Sequence, residues 1–138
     1  MANKEKMIGH KRHKHYLRDI IIGKNTSIRT DRIDRSGKII IGEDTVISKN
    51  VTIIRHTHPY FNKKLFPITS DENNNVIESS PLIIGDHVYI SEGSYILPQV
   101  THIPDGCIIG VGSILTKNPD GPWQVWAGNP AKYIKTLE

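Results

Sequence analysis

Between Ile84 and Ile96 an aliphatic residue recurs at every sixth position, Ile90 falling midway, and a smaller residue, Val88 or Ser94, stands two places before the later beats. A period of six fits neither the 3.6 of a helix nor a plain alternating hairpin. Each unit instead turns one large and one small side chain to the same side of a short strand. That spacing predicts a solenoid whose triangular coil is made of three short parallel strands, each strand with its corner taking six residues.

The register runs on in both directions. Ile103 comes seven after Ile96, and then Ile109 and Leu115 restore the step of six with Cys107 and Ser113 as small partners. Pro98 suits a corner, where no ladder N–H is needed. Upstream, Ile41, Ile47 and Ile53 keep the same step with Thr45 and Val51, and Ile22 and Ile28 with Thr26 form an earlier pair. Between these runs Ile33 is the expected inward member, with Ser36-Gly37 opening a wider corner. Beyond Ile53 the alternation predicts Thr57 and Pro59 inward, His58 outward on a strand, and His56 in the preceding corner.

Residues 60–82 break the pattern with Tyr60, Phe61, Lys63 and Lys64, then Asp71-Glu72-Asn73-Asn74-Asn75. A polar segment of this length inside a compact domain is expected to serve a site. At the other end, Trp123, Trp126 and Pro130 to Lys135 are expected to cap the open coil, as a short helix or an extended tail.

Ile-Ile-Gly-Asp at 83–86, Ile-Gly-Val-Gly-Ser-Ile-Leu-Thr-Lys at 109–117 and Ala-Gly-Asn-Pro-Ala-Lys at 127–132, with Thr57-His58-Pro59 upstream, resemble the hexapeptide-repeat acyltransferases. The branch they look like is that of the maltose, galactoside and polysaccharide O-acetyltransferases. The resemblance covers roughly residues 20 to 135. It implies an all-β fold, a left-handed parallel β-helix (hexapeptide-repeat solenoid) with a projecting loop and a short C-terminal cap. It also implies a homotrimer with intersubunit active sites and acetyl-CoA as donor.

Composition narrows the classes. The 138 residues suit one domain, divided into a basic leader over 1–19 and coils over 20–138, and 37% hydrophobic residues suit a narrow prism filled by a single file of aliphatics. No apolar run is long enough to span a bilayer, and the start lacks the apolar core of a secretory signal. One cysteine excludes an internal disulfide, so a reducing cytoplasm is the expected compartment. Lys4, Lys6, Lys11, Arg12, Lys14 and Arg18 read as a solvated leader, not a nucleic-acid arm, because Tyr16 is the lone aromatic beside them. His10, His13 and His15 lack a cysteine partner, and no metal is expected.

His58 carries the expected chemistry. Facing outward, it lines a cleft where a neighbouring subunit packs, and a neutral imidazole can take the proton of a sugar hydroxyl attacking a thioester. The family likeness puts a main-chain N–H of the Ser91-Glu92-Gly93 corner, that of Glu92, at the resulting oxyanion. Gly110, Val111, Gly112 and Ser113 let a ligand approach the backbone closely; the resemblance implies that this ligand is the pantetheine arm, with Thr116, Lys117 and Lys132 as candidates for the donor's nucleotide end. Tyr89 stands beside the donor slot where the family commonly has tryptophan, and Val111 replaces a more usual alanine. The resemblance also implies an acid that holds acceptor hydroxyls, for which Asp34 is the candidate, and a projecting loop, from which Tyr60, Phe61 and Phe66 are expected to help enclose the acceptor. Cys107 is read as packing.

The function expected is acetyl transfer from acetyl-CoA to a hydroxyl of a sugar or glycan precursor. An N-acetyltransferase of an amino sugar or an antibiotic-modifying enzyme is the near alternative. A zinc carbonic-anhydrase type would need three converging histidines, whereas Tyr89, Glu92 and Tyr95 occupy the places about one coil beyond His58. A non-catalytic β-helix is the third class, and it has no use for His58, Lys117 and the glycine edge together.

Overall fold

The structure, a computed structural model, describes residues 20–58, 60–61, 63–65 and 80–138. The first coil runs through β1 (Ile20–Ile22) and β2 (Ser27–Ile28) to a bridge at Ile33. The second holds β3 (Ile39–Ile41), β4 (Val46–Ile47) and β5 (Thr52–Ile53). A small antiparallel hairpin follows, β6 (Tyr60–Phe61) and β7 (Lys64–Leu65). Winding resumes with β8 (Leu82–Ile84), β9 (Tyr89–Ile90) and β10 (Tyr95–Ile96), then β11 (His102–Ile103), β12 (Ile108–Ile109) and β13 (Ile114–Leu115). Last come β14 (Gln124–Gly128) and β15 (Ala131–Thr136), which folds back antiparallel on β14.

Three sheets form the walls of a left-handed parallel β-helix: β1-β3-β8-β11, β2-β4-β9-β12-β14 with β15 at its edge, and β5-β10-β13. The register explains the period of six. Ile22, Ile41, Ile84 and Ile103 pair in sequence on the first wall, Ile28, Ile47, Ile90, Ile109 and Trp126 on the second, and Ile53, Ile96 and Leu115 on the third. Every beat from Ile41 to Leu115 is at most 2% exposed. Burial of each such side chain is worth about 1.5–3 kcal/mol. On the first coil described the beats are less covered: Ile28 is half-buried and Ile22 is 49% exposed.

The small inward residues close the corners. Thr45 Oγ1 donates to Gly85 O (2.9 Å) and accepts from Val88 N (3.1 Å), and Ser94 Oγ reaches Ser91 O and Gly110 O (both 2.8 Å). These bonds satisfy main-chain groups that the turning backbone would otherwise leave buried and unpaired. The Gly-Asp motif is explained at the same level. Asp105 Oδ1 takes the N–H of Asp86 (2.8 Å), and a Cβ on Gly85 would lie 2.2 Å from that oxygen.

The C-terminal cap is an extended hairpin, β14–β15, so of the two forms expected the tail is the one adopted. Asn118 replaces a further rung on the first wall, its Oδ1 accepting from Thr101 N (2.8 Å) and His102 N (3.2 Å). Trp123 lies against Gly106, where a Cβ would meet the ring, and stacks on His87 with centroids 6.2 Å apart. Cys107 is buried and inward, its thiol pKa pushed up by that burial. The interruption ends earlier than expected, because Leu82 is fully buried in β8. The leader over 1–19, Pro59 and Phe66 lie outside the described residues.

Candidate active site

The polar centre of the molecule is built where the second coil ends. Ile33 and Ile53 bridge in parallel; Asp34 N donates to Ile53 O (2.9 Å) and Ile53 N to Arg32 O (3.0 Å). This pins the Asp34 carboxylate over the chain leaving β5. Its Oδ1 accepts from Ser36 N (2.9 Å) and its Oδ2 from Arg55 N (2.8 Å) and from His56 Nδ1. Burial pushes the Asp34 carboxyl up, but these main-chain and histidine donors outweigh it and hold its pKa at about 2.

Arg55 takes the inward position two places after Ile53, and it is fully buried. Its guanidinium donates through Nη1 to Val100 O (2.7 Å) and through Nη2 to Ser80 O (2.5 Å). Burial lowers the guanidinium's pKa and the Asp34 charge opposes that shift. Arg55 thus ties the strand that leaves the prism to the residue at which the chain returns. The expected inward place of Thr57 is corrected: Thr57 is exposed and outside any strand, because the backbone has already left the prism after Arg55. His58 is exposed, as its outward reading requires, but it too stands past the end of β5 rather than in mid-strand. The rings of His56 and His58 meet edge to face, 5.3 Å apart at 86°.

A concavity of about 550 Å³ opens beside this cluster, lined by Arg32, Asp34, Thr52 and His56 among others. Arg32 Nε donates to Thr52 Oγ1 (2.9 Å) across its floor.

The second candidate wall lies on another edge of the prism, where the chain turns from β9 to β10 and from β12 to β13. Tyr89 is 43% exposed, and with Glu92, Arg29, Ser48 and Lys49 it lines a hollow of about 260 Å³. The corners here are stacked: Gly93 N donates to Lys49 O (3.1 Å) and Gly112 N to Glu92 O (2.9 Å). Gly93 and Gly112 have φ of 73° and 65°, and a Cβ on either would meet nothing within 4 Å. The result is an open backbone edge that a thin ligand can follow closely.

Around that edge the expected donor residues divide. Val111 is 78% exposed, whereas Ser113 points inward, is 1% exposed, and accepts from Gly128 N through Oγ (3.0 Å). Gly110 packs against Ala127. Thr116 is half-buried at the corner after β13, and the Lys117 ammonium stands 5.7 Å from the centroid of the Trp126 ring. Lys132 is exposed on β15, opposite Ala127. Tyr60 and Phe61 lie on the β6–β7 hairpin.

Within one chain, His58 and Glu92 stand on different corners: His58 follows the third wall, and Glu92 precedes it. Sequence reasoning gave Arg55 and His56 no role. The available signal was the alternation Val51, Ile53, Arg55, which puts an arginine on the inward register. Among the described residues no group of three His, Cys, Asp or Glu is arranged to hold a metal ion. Nor among them is any helix long and apolar enough to cross a membrane.

No family model matches the chain. It is 34% identical over 99 residues to the galactoside O-acetyltransferase of Escherichia coli K12, covering 72% of this chain and 44% of that one. The crystal structure of a maltose O-acetyltransferase from Clostridium difficile 630 superposes with a TM-score of 0.67 at 31% identity, covering 86% of this chain and 59% of that one. A galactoside acetyltransferase in complex with coenzyme A gives 0.64 at 31%, with 86% and 56% covered. The chain spans about half the length of the curated relatives it matches. Repeat, fold and these likenesses together make the chain a member of the hexapeptide-repeat acetyltransferases, alongside the maltose and galactoside O-acetyltransferases.

Proposed function

We propose that this chain transfers an acetyl group from acetyl-CoA to a hydroxyl of a sugar or glycan precursor, as a homotrimer whose active sites lie between subunits. His58 of one protomer is the general base. It takes the proton of the acceptor hydroxyl as that oxygen attacks the thioester carbon, and it returns the proton to the departing CoA thiolate. The Glu92 main-chain N–H of the neighbouring protomer receives the oxyanion between those steps. Tyr89 borders the acetyl group. Gly110, Val111, Gly112 and the main chain at Ser113 border the pantetheine arm, with Thr116, Lys117 and Lys132 toward the nucleotide end. Tyr60 and Phe61 approach the acceptor, and Asp34 lies on its side of the cleft.

The observation that carries this reading is the open, stacked edge at Gly93 and Gly112 beside Glu92, which fits a narrow chain such as pantetheine. It is supported by the relative solved with coenzyme A. The separation of His58 from that edge within one chain is what a shared, intersubunit site requires. The lone, buried Cys107 suits a reducing cytoplasm.

The test is thiol release from acetyl-CoA with a panel of glycosides. Release should depend on the acceptor, and His58→Ala should lower it about 10²–10⁴-fold at unchanged melting temperature. Activity that survives this substitution would remove His58 from the mechanism.

A further inference from the structure

His58, exposed and past the last strand of its coil, makes no hydrogen bond to the described residues, and its ring contact there is with His56. A side chain so placed samples several rotamers unless something braces it. His56 is itself braced. Its Nδ1 bonds Asp34 Oδ2, and that carboxylate is fixed before His56 is considered, by the N–H groups of Ser36 and Arg55 and by the Ile33–Ile53 bridge beneath it.

Asp34 therefore has little left for an acceptor. A carboxylate offers about four lone-pair sites, and among the described residues three donors already use them: Ser36 N, Arg55 N and His56 Nδ1. A sugar diol needs two vacant sites on this group, and one remains.

We propose that Asp34 and His56 form a positioning pair for His58: Asp34 holds the proton on His56 Nδ1 and fixes that ring, whose perpendicular contact sets the His58 imidazole for proton transfer. The proposal rests on the acetyl-transfer reading for its purpose but not for its geometry. Neither Asp34 nor His56 takes a proton from the acceptor. Their contribution is the orientation of the base, which a displacement of about an ångström degrades roughly 10²-fold. Arg55 extends the brace inward, since the residue whose N–H holds Asp34 also carries the guanidinium bound to Ser80 O and Val100 O.

Ring ¹⁵N and ¹³C spectra of the intact protein test this without turnover. The His56 Nδ1 resonance should stand at its protonated position. In both Asp34→Asn and His56→Phe the His58 ring signals should move to those of a freely rotating side chain, with backbone amide signals beyond this corner unchanged. His58 signals unaltered in either folded variant would overturn the pairing. His56 is partly exposed, so His56→Phe decides the matter should Asp34→Asn fail to fold.

Kinetics with acetyl-CoA and the panel glycoside giving the fastest thiol release supply the second readout. Each variant should lose about 10–100-fold in kcat with the acetyl-CoA KM unchanged. The double variant should lose no more than the worse single one, as coupled residues do. A raised glycoside KM at unchanged kcat in Asp34→Asn would return Asp34 to acceptor binding and overturn the proposal. If no glycoside is turned over, the acetyl-transfer reading fails while the ring spectra still decide the pairing.

Discussion

Ile53 and Ile96 are paired neighbours on the third wall, yet the chain behaves differently after each. After Ile96 it turns through Leu97 and Pro98 to the fully buried Val100, and winding continues into β11. After Ile53 the inward position goes to Arg55, and the chain leaves the prism. One turn is held by an apolar file and a corner bond from Val100 N to Leu97 O (3.0 Å); the other is held by a buried cation, a carboxylate and a histidine. Aliphatic stacking suffices to continue a coil. An exit from it leaves main-chain carbonyls at Ser80 and Val100, which the Arg55 guanidinium satisfies, while the Arg55 N–H helps hold the carboxylate that bonds His56 beside the candidate base.

Removing each kind of support should give a different signature. Arg55→Ala should cost the most stability, about 3–5 kcal/mol, because it orphans two carbonyls and leaves Asp34 without its nearby cation. Denaturant melts would record the loss, and activity per folded molecule should also fall. Ile96→Ala should cost about 2–4 kcal/mol through the cavity it opens, yet the folded fraction should keep its activity. Equal effects of both substitutions on activity would erase the distinction.

The carboxylate at the exit predicts an acid transition. Asp34 has a folded-state pKa of about 2 against an ordinary 3.8. Its stabilisation is therefore fully present above about pH 4 and is lost as pH falls from about 4 toward about 2. The shift corresponds to about 2 kcal/mol. Thermal melts across that window should show a steeper decline for the wild type than for Asp34→Asn. Smallest of all, Asp86→Ala on a regular corner should cost about 1 kcal/mol, since it removes the acceptor of Glu43 N (2.8 Å) and leaves the aliphatic file intact.

The same contrast accounts for what could be read from the sequence. The walls were legible because each inward side chain meets its counterpart one coil away, so Ile84, Ile90 and Ile96 announce their neighbours by spacing alone. The small residues were legible as inward, but their hydroxyl bonds to Gly85 and Gly110 depend on corner geometry that spacing does not encode. At the exit, the alternation carried past Ile53 puts Thr57 inward where the backbone has already left the prism, and it puts Arg55 inward without revealing the carbonyls it binds, 25 and 45 residues away. The family likeness singles out Asp34 as an acid for the acceptor, whereas its engagement with Ser36, Arg55 and His56 depends on the Ile33–Ile53 bridge.

Subunit mixing tests the shared site most directly. His58→Ala removes the proposed base, and Gly112→Trp puts an indole on the open edge from a Cβ that meets nothing within 4 Å, at a backbone cost of about 1–2 kcal/mol. Each variant alone should be nearly inactive. Under the proposed trimer, assemblies re-formed from a mixture of the two should regain a substantial part of wild-type thiol release, because some clefts then pair an intact His58 with an intact Glu92–Gly112 edge from the neighbour. Mixed assemblies as inactive as their parents would contradict a site shared between subunits.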